Sequence, residues 1–229
     1  MKKATFIVSV GGSTVVPNGE VNAPFLKSLK AFLVRRVARG DRFVIIVGGG
    51  GTCRRYNDGL KRVIHPTKTD LDWLGIYTTH LNAHLVRLIL GKLAHPTLAN
   101  DHKAFDRKSW KAPVVLGGGH KPGGSTDANM ILFAQAFGAK DVINVSNVDY
   151  LYTKDPHKFK DAEKIEHISW KDYRKMIGNK REPGMNIPFD PVAARLAQAS
   201  KIRVALLGSD VKNLDRYLSD KSFRGSVIS

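Results

Sequence analysis

Three glycine clusters, each set directly after a short apolar run, constrain this chain more than any other feature of it. They are Gly11-Gly12-Ser13, Gly48-Gly49-Gly50-Gly51 and Gly117-Gly118-Gly119. The runs before them, residues 4–10, 42–47 and 113–116, read as buried strands. The third cluster continues as His120-Lys121-Pro122-Gly123-Gly124-Ser125-Thr126-Asp127. One glycine loop says little, because a tight strand-to-helix turn can need glycine for its backbone angles alone. Three at equivalent places point to a shared purpose. In an open parallel sheet, ligands sit beyond the carboxyl ends of the strands. Glycine there lets the backbone approach phosphate, and N–H groups at a helix start make an anion nest.

The rest of the chain alternates in the same way. Phe25, Leu26, Leu29, Phe32, Leu33 and Val37 recur at helical spacing, with Asn22 as cap, Pro24 in the first turn and Gly40 as stop. Leu71, Leu74, Leu81, Leu85 and Leu88 mark a long helix ending at Gly91. Residues 128–137 read as a helix closed by Gly138, 141–145 as a strand, 191–199 as a helix and 202–207 as a strand. This order predicts an α/β fold, a mainly parallel central sheet with helices on both faces. The polar stretch 157–187, rich in Lys and Arg and holding Gly178, Pro183 and Gly184, reads as partly mobile and lid-like. A lobe boundary is expected near Gly138.

A length of 229 residues suits one large domain or two small lobes. Lys and Arg number 37 against 20 Asp and Glu, a net charge of +17 that favours anionic partners. The basic residues are scattered singly or in pairs, and no nucleic-acid-binding module or polybasic stripe is present, so a nucleic-acid partner is not expected. The single cysteine, Cys53, excludes an intrachain disulfide and fits a reducing compartment. No run approaches the roughly 20 apolar residues of a membrane span, and the apolar start is too short for a secretory leader. A soluble, cytoplasmic protein without a membrane partner is expected.

Neither a Walker loop nor a Gly-x-Gly-x-x-Gly fingerprint with its acidic partner occurs, so phosphate would be held by several loops together. Val10-Gly11-Gly12-Ser13, Val47-Gly48-Gly49-Gly50 with Arg54, and Gly118 through Thr126-Asp127-Ala128 resemble the amino acid kinase superfamily. The segment from Ser146-Asn147-Val148-Asp149 to Asp155-Pro156 resembles its nucleotide-binding stretch. Asp72-Trp73-Leu74-Gly75-Ile76, Asn82-Ala83 and Phe189 through Ala194 are similar to the archaeal-type UMP kinases. The likeness covers nearly the whole chain.

The resemblance implies two lobes sharing one sheet, residues 1–138 binding the phosphoryl acceptor and 139–229 binding ATP. It implies transfer of the ATP γ-phosphate to UMP, giving UDP and ADP, with Mg²⁺ carried by ATP. Gly12, Ser13, Gly50 and Arg54 would touch ATP phosphates, and Ser146, Asn147, Tyr152 and Asp155 would hold the adenosine. Gly49, Asp72 and the loop Gly119, His120, Lys121, Pro122, Gly123, Gly124, Ser125 and Thr126 would hold UMP. The physics suits these roles. An ionised Asp72 can accept two ribose hydroxyls, and Arg54 presents a planar fork to phosphate. Asp127, at a helix start, would orient cations around the transferring group. A homo-oligomer, often a hexamer in this family, and UTP as feedback inhibitor are further implications.

The chain departs from the family pattern in four places. Ser9 stands where many members carry lysine, Gly51 follows Gly50 where lysine is usual, Tyr150 replaces a common glycine, and Lys121 lengthens its loop. Lys121 is therefore a candidate catalytic cation beside Arg54 and Asp127. His80 and His84 lack a third metal ligand and read as solvated or hydrogen-bonded, Trp73 as a core contact, and Cys53 as a packing residue. Two other functions keep the fold. One is a kinase of another phosphorylated acceptor, such as isopentenyl phosphate, or of a carboxylate. The other is a non-catalytic nucleotide-binding or storage protein.

Overall fold

A strand that is apolar along its whole length must be covered on both faces, and that demand sets the architecture. The computed structural model describes residues 4–108, 110–154, 156, 158–178, 180 and 187–229. The first half comprises β1 (Thr5–Val10), α1 (Gly12–Val15), α2 (Ala23–Ala38), β2 (Arg42–Val47), α3 (Gly50–Val63), α4 (Lys68–Leu90), β3 (Val114–Gly117) and α5 (Thr126–Phe137). Then come β4 (Asp141–Val145), β5 (Leu151–Tyr152), β6 (Lys164–Ile165), β7 (His167–Ile168), α6 (Trp170–Ile177), α7 (Pro191–Ala199), β8 (Arg203–Leu207), α8 (Val211–Tyr217) and β9 (Ser226–Ile228). Seven strands share one sheet in the order β3-β2-β1-β4-β8-β9-β7. The five strands from β3 to β8 are parallel, with Val8 beside Ile45 on one side and Ile143 on the other. β9 reverses against β8, and β7 runs parallel to β9, so both strands at that edge oppose the other five. The expected parallel sheet with helices on both faces is what forms.

Period-two alternation divides each central strand between two cores. Ile7, Val44, Ile46 and Val142 face α5, α6 and α7, where Met130, Phe133 and Tyr173 are buried. Val8, Val10, Phe43, Ile45 and Val47 face the other way, against Phe32 and Leu33 of α2, Val86 of α4 and Leu214 of α8. The helix starts carry the caps that the sequence provides. The Asn22 side chain accepts from the Phe25 N–H, and Thr67 and Asp70 form a capping box on α4. Ser125 caps α5, which begins two residues before the expected start, and Gly138 closes that helix at φ 68°.

Of the stretch 157–187, expected to be partly mobile and lid-like, residues 164–177 are built into the fold. β7 extends the sheet edge beside β9, and α6 buries Trp170 and Tyr173. The Trp170 indole N–H donates to the Ile202 carbonyl at 3.0 Å, and the Tyr173 hydroxyl donates to the Phe189 carbonyl at 2.7 Å. An amphipathic helix of eight residues is easily read as polar loop when four of its residues are charged and its core side is only Trp170, Tyr173 and Ile177. Residues 157, 179 and 181–186 of the stretch lie outside the described residues. Among the described residues no helix is long and apolar enough to cross a membrane.

Tyr173 ties α6 to the segment that enters α7. Tyr173→Phe leaves the buried Phe189 carbonyl without its donor, which costs about 1–3 kcal/mol. The melting temperature should fall by several degrees in a thermal scan; an unchanged value would mean that water replaces the hydroxyl without loss.

Candidate active site

The glycine loops after β1 and β2 pack backbone against backbone. A Cβ on Gly12 would lie 2.1 Å from the Gly50 nitrogen and 2.5 Å from the Gly48 carbonyl carbon. Gly50 itself has φ +60°, a conformation in which side chains are strained. The contact is locked by N–H groups of one loop on carbonyls of the next element: Gly11 donates to Val145 at 2.8 Å and Gly48 to Val10 at 3.0 Å.

α4 supplies the polar side chains that hold these loops in place. Its residues at positions 72, 79, 80 and 82 turn toward the loops within three helical turns. The Asn82 amide donates to the carbonyls of Gly48 at 2.8 Å and Gly49 at 3.0 Å. The Thr79 hydroxyl accepts from the Gly119 N–H at 2.7 Å, and His80 Nε2 meets the Gly119 carbonyl at 2.7 Å. The Asp72 carboxylate accepts from the Gly123 N–H at 2.7 Å. Asn129 of α5 completes the third loop by donating to the Gly118 carbonyl at 2.8 Å.

These loops enclose a cavity of about 260 Å³ at the carboxyl end of the sheet. The sequence-derived residues Gly12, Ser13, Gly49, Gly50, Arg54, Asp72, Gly119, Gly124, Ser125, Thr126, Asp127, Ser146 and Asn147 all line it. The starts of α3 and α5 both open onto it, so two helix N-termini add positive potential. Among the described residues lining it, Arg54 is the one cation. Its guanidinium donates to the Ser13 hydroxyl at 3.0 Å and the Pro17 carbonyl at 2.9 Å, which stretches the side chain across the first loop.

A second cavity of about 380 Å³ adjoins the first and shares Ser146, Asn147, Ile187 and Pro188 with it. Tyr152, Tyr150, Met176 and Ile177 give it an apolar wall suited to a flat ring. Asp155, placed by the sequence in the same group, lies outside the described residues. His120, Lys121, Pro122 and Gly123 do not line either cavity. His120 faces Asp101 at 3.9 Å and Lys121 is exposed.

Asp127 sits where the first loop, α5 and α7 meet. It accepts from the Ser9 hydroxyl and from the Asp190 N–H, each at 3.3 Å. Loss of water around the carboxyl, and then the neighbouring Asp190 charge, push Asp127 up to about 7. Asp190 in turn caps α7, accepting from Val192 and Ala193.

The discounted residues are also settled by geometry. His80 and His84 are hydrogen-bonded, the latter accepting from Arg87. Burial pushes the Cys53 thiol up, in keeping with a packing residue. Trp73 does not join the core as expected: it is 43% exposed and stacks on Tyr77. Its place on α4, one residue past the inward Asp72, turns it outward. Thr79, Asn82 and Asn129 were not singled out as binders of the loops; the helical spacing of 72, 79 and 82 is the signal that marks the first two.

The sequence profile of the amino acid kinase family matches residues 4–208. The uridylate kinase of Sulfolobus acidocaldarius is 30% identical over 212 residues, 91% of this chain and 93% of that protein. The uridylate kinase of Methanoculleus marisnigri is 31% identical over 232 residues, covering 100% of this chain and 96% of its own. The crystal structure of uridylate kinase from Archaeoglobus fulgidus superposes with a TM-score of 0.81 at 28% identity, both chains covered completely (100%). The UMP kinase structure from Bacillus anthracis, 16% identical with a TM-score of 0.75, shares the fold over 99% of this chain and 96% of its own. The match runs nearly from end to end in sequence and in fold, and the chain belongs to the amino acid kinase family.

Proposed function

We propose that the chain moves the γ-phosphoryl group of ATP onto the phosphate of UMP, giving UDP and ADP. The observation that carries this reading is the pair of joined cavities, one ringed by glycine loops, Arg54 and Asp72, the other walled by Tyr150 and Tyr152. Relatives of about the same length, alike from end to end, are uridylate kinases. Residues 1–138 hold the acceptor and 139–229 the donor in this reading, on one unbroken sheet.

The acceptor phosphate is itself the nucleophile, so the protein needs no covalent intermediate and works by positioning and charge neutralisation. Gly12, Ser13, Gly50 and Arg54 cradle the donor phosphates, while Ser146, Asn147 and Tyr152, with Asp155, hold the adenosine. Gly49, Asp72 and the loop 119–126 take UMP, with the Asp72 carboxylate turned to the ribose. Mg²⁺ arrives with ATP as part of the substrate; among the described residues no three His, Cys, Asp or Glu side chains gather to hold a metal of their own. Ser9 brings no charge, so Arg54 and the starts of α3 and α5 carry the neutralisation, and Lys121 joins only if its loop swings inward. Asp127 in its ionised form orients these groups. Work in the cytoplasm, assembly into a homo-oligomer such as a hexamer, and inhibition by UTP complete the proposal and rest on family likeness.

An acceptor without a sugar gains nothing from Asp72. In an assay with ATP·Mg²⁺, UMP should therefore be turned over faster than isopentenyl phosphate or N-acetylglutamate, with CMP as a second nucleotide arm. Equal rates for UMP and isopentenyl phosphate would overturn the acceptor assignment, and no product from any would favour a storage or sensing role.

The raised Asp127 makes a separate prediction. Its folded value, about 7, lies above the ordinary carboxyl value of an unfolded chain, so the fold holds an extra proton between the two. Stability from this group is intact at low pH and drains away as pH climbs toward 7. Asp127→Asn cannot ionise. Its melting temperature should gain on that of the native chain between pH values of about 4 and about 7, while turnover drops. A difference that stays flat across that window would show the carboxyl titrating at an ordinary value.

A further inference from the structure

Among the polar side chains lining the catalytic cavity, Asn57 has no role in the reading above. It is 6% exposed, and its amide oxygen has no hydrogen-bond partner among the described residues. Among the described residues its amide nitrogen reaches the Cys53 sulfur, at 3.6 Å. An unsatisfied buried amide oxygen costs stability, whereas an apolar side chain of the same shape would not. Asn57 nevertheless lines the cavity together with Gly49, Arg54 and Asp72.

The register of α3 against α4 says which part of a ligand it would meet. The two helices run antiparallel, joined by the short turn between Val63 and Lys68. Asn82 touches Gly48 and Gly49 just before α3, and Thr78 and Gly75 lie against Gly49 and Cys53. One more turn along α3, Asn57 comes level with Leu71 and Asp72, which line the same cavity. At 1.5 Å per residue, Asn57 is about 10 Å along the axis from Gly50 at the phosphate-binding end. That is too far for a phosphate held at the loop; Asn57 lies instead in the part of the cavity lined by Asp72, the residue turned to the ribose in the proposed reading.

We infer that Asn57 is a second sugar-recognising residue. Its amide accepts a hydrogen bond from a ribose hydroxyl of the acceptor nucleotide, beside Asp72, and so selects ribonucleotides. The Cβ–Cγ torsion of asparagine is broad, so the amide turns toward such a donor at little cost. This inference rests on the proposed UMP kinase activity and names a selectivity for that site.

The test compares the native chain with Asn57→Leu and Asn57→Ala, using UMP, 2′-deoxy-UMP and 3′-deoxy-UMP as acceptors. KM for UMP should rise roughly 10-fold in both variants, the effect of one lost hydrogen bond, while KM for ATP and kcat stay within a few-fold. Discrimination against one of the deoxy analogues should shrink by a similar factor, because the native chain alone can use the missing hydroxyl. A merely structural asparagine would not change that ratio. An unchanged KM for UMP in either folded variant, or equal losses for UMP and both analogues, would overturn the inference. If the native chain forms no UDP at all, the activity itself fails, and that result is distinct from a native enzyme whose variants behave like it.

Discussion

Everything at the carboxyl end of this sheet depends on the absence of three side chains. Gly12, Gly48 and Gly50 bring two loops so close that a methyl group on any of them would meet backbone at 2.1 to 2.5 Å. Backbone cannot yield as the tip of a flexible side chain can. The contact sets where β1 and β2 stop, where α3 begins and where its N–H groups point. It also gives a distributed design: loops locked against one another present their amides to a common space.

A second constraint comes from α4. One helix face supplies Asp72, Thr79, His80 and Asn82, and these reach the second and third glycine loops through hydrogen bonds of 2.7 to 3.0 Å. The helix is long, runs beneath the cavity and is anchored by a full capping box, so it works as a rigid ruler along which the contacts are spaced. Asn57 on the neighbouring α3 falls at the Asp72 mark of that ruler. On the opposite wall Asp127 joins Ser9 of β1 to the start of α7. Among the described residues the hydrogen-bond partners of that carboxyl are Ser9 and the Asp190 N–H, and its burial, with the neighbouring Asp190 charge, raises it.

Much of this was legible in the sequence because it rests on local rules. Strands apolar throughout announce a sheet buried on both faces, and Asn22, Gly91 and Gly138 mark helix ends that the structure keeps. The three glycine clusters located the cavity, and Ser13, Arg54 and residues 124–127 after them line it, whereas residues 120–123 do not. What stayed hidden depends on tertiary partners. The strands β7 and β9 have two and three residues and exist through pairing with each other and with β8. Helix α6 looked like a polar loop because its stability comes from Trp170, Tyr173 and Ile177 docking in a core formed elsewhere. Trp73 was expected inside, yet the inward place on that turn belongs to Asp72. The exposure of Lys121 and the isolation of the Asn57 amide are facts of three-dimensional neighbourhood, with no trace in spacing.

The account stands on the acceptor nucleotide lying against α4, with its sugar at Asp72. Asp72→Asn keeps the shape and replaces one acceptor oxygen with a donor, so the steady-state KM values of this variant for UMP and for ATP test that placement directly. KM for UMP should rise by roughly 10-fold or more while KM for ATP moves little, since a carboxylate accepts hydroxyl donors that a carboxamide accepts only in part. A rise confined to ATP, with UMP unaffected, would put Asp72 on the donor side and contradict the account.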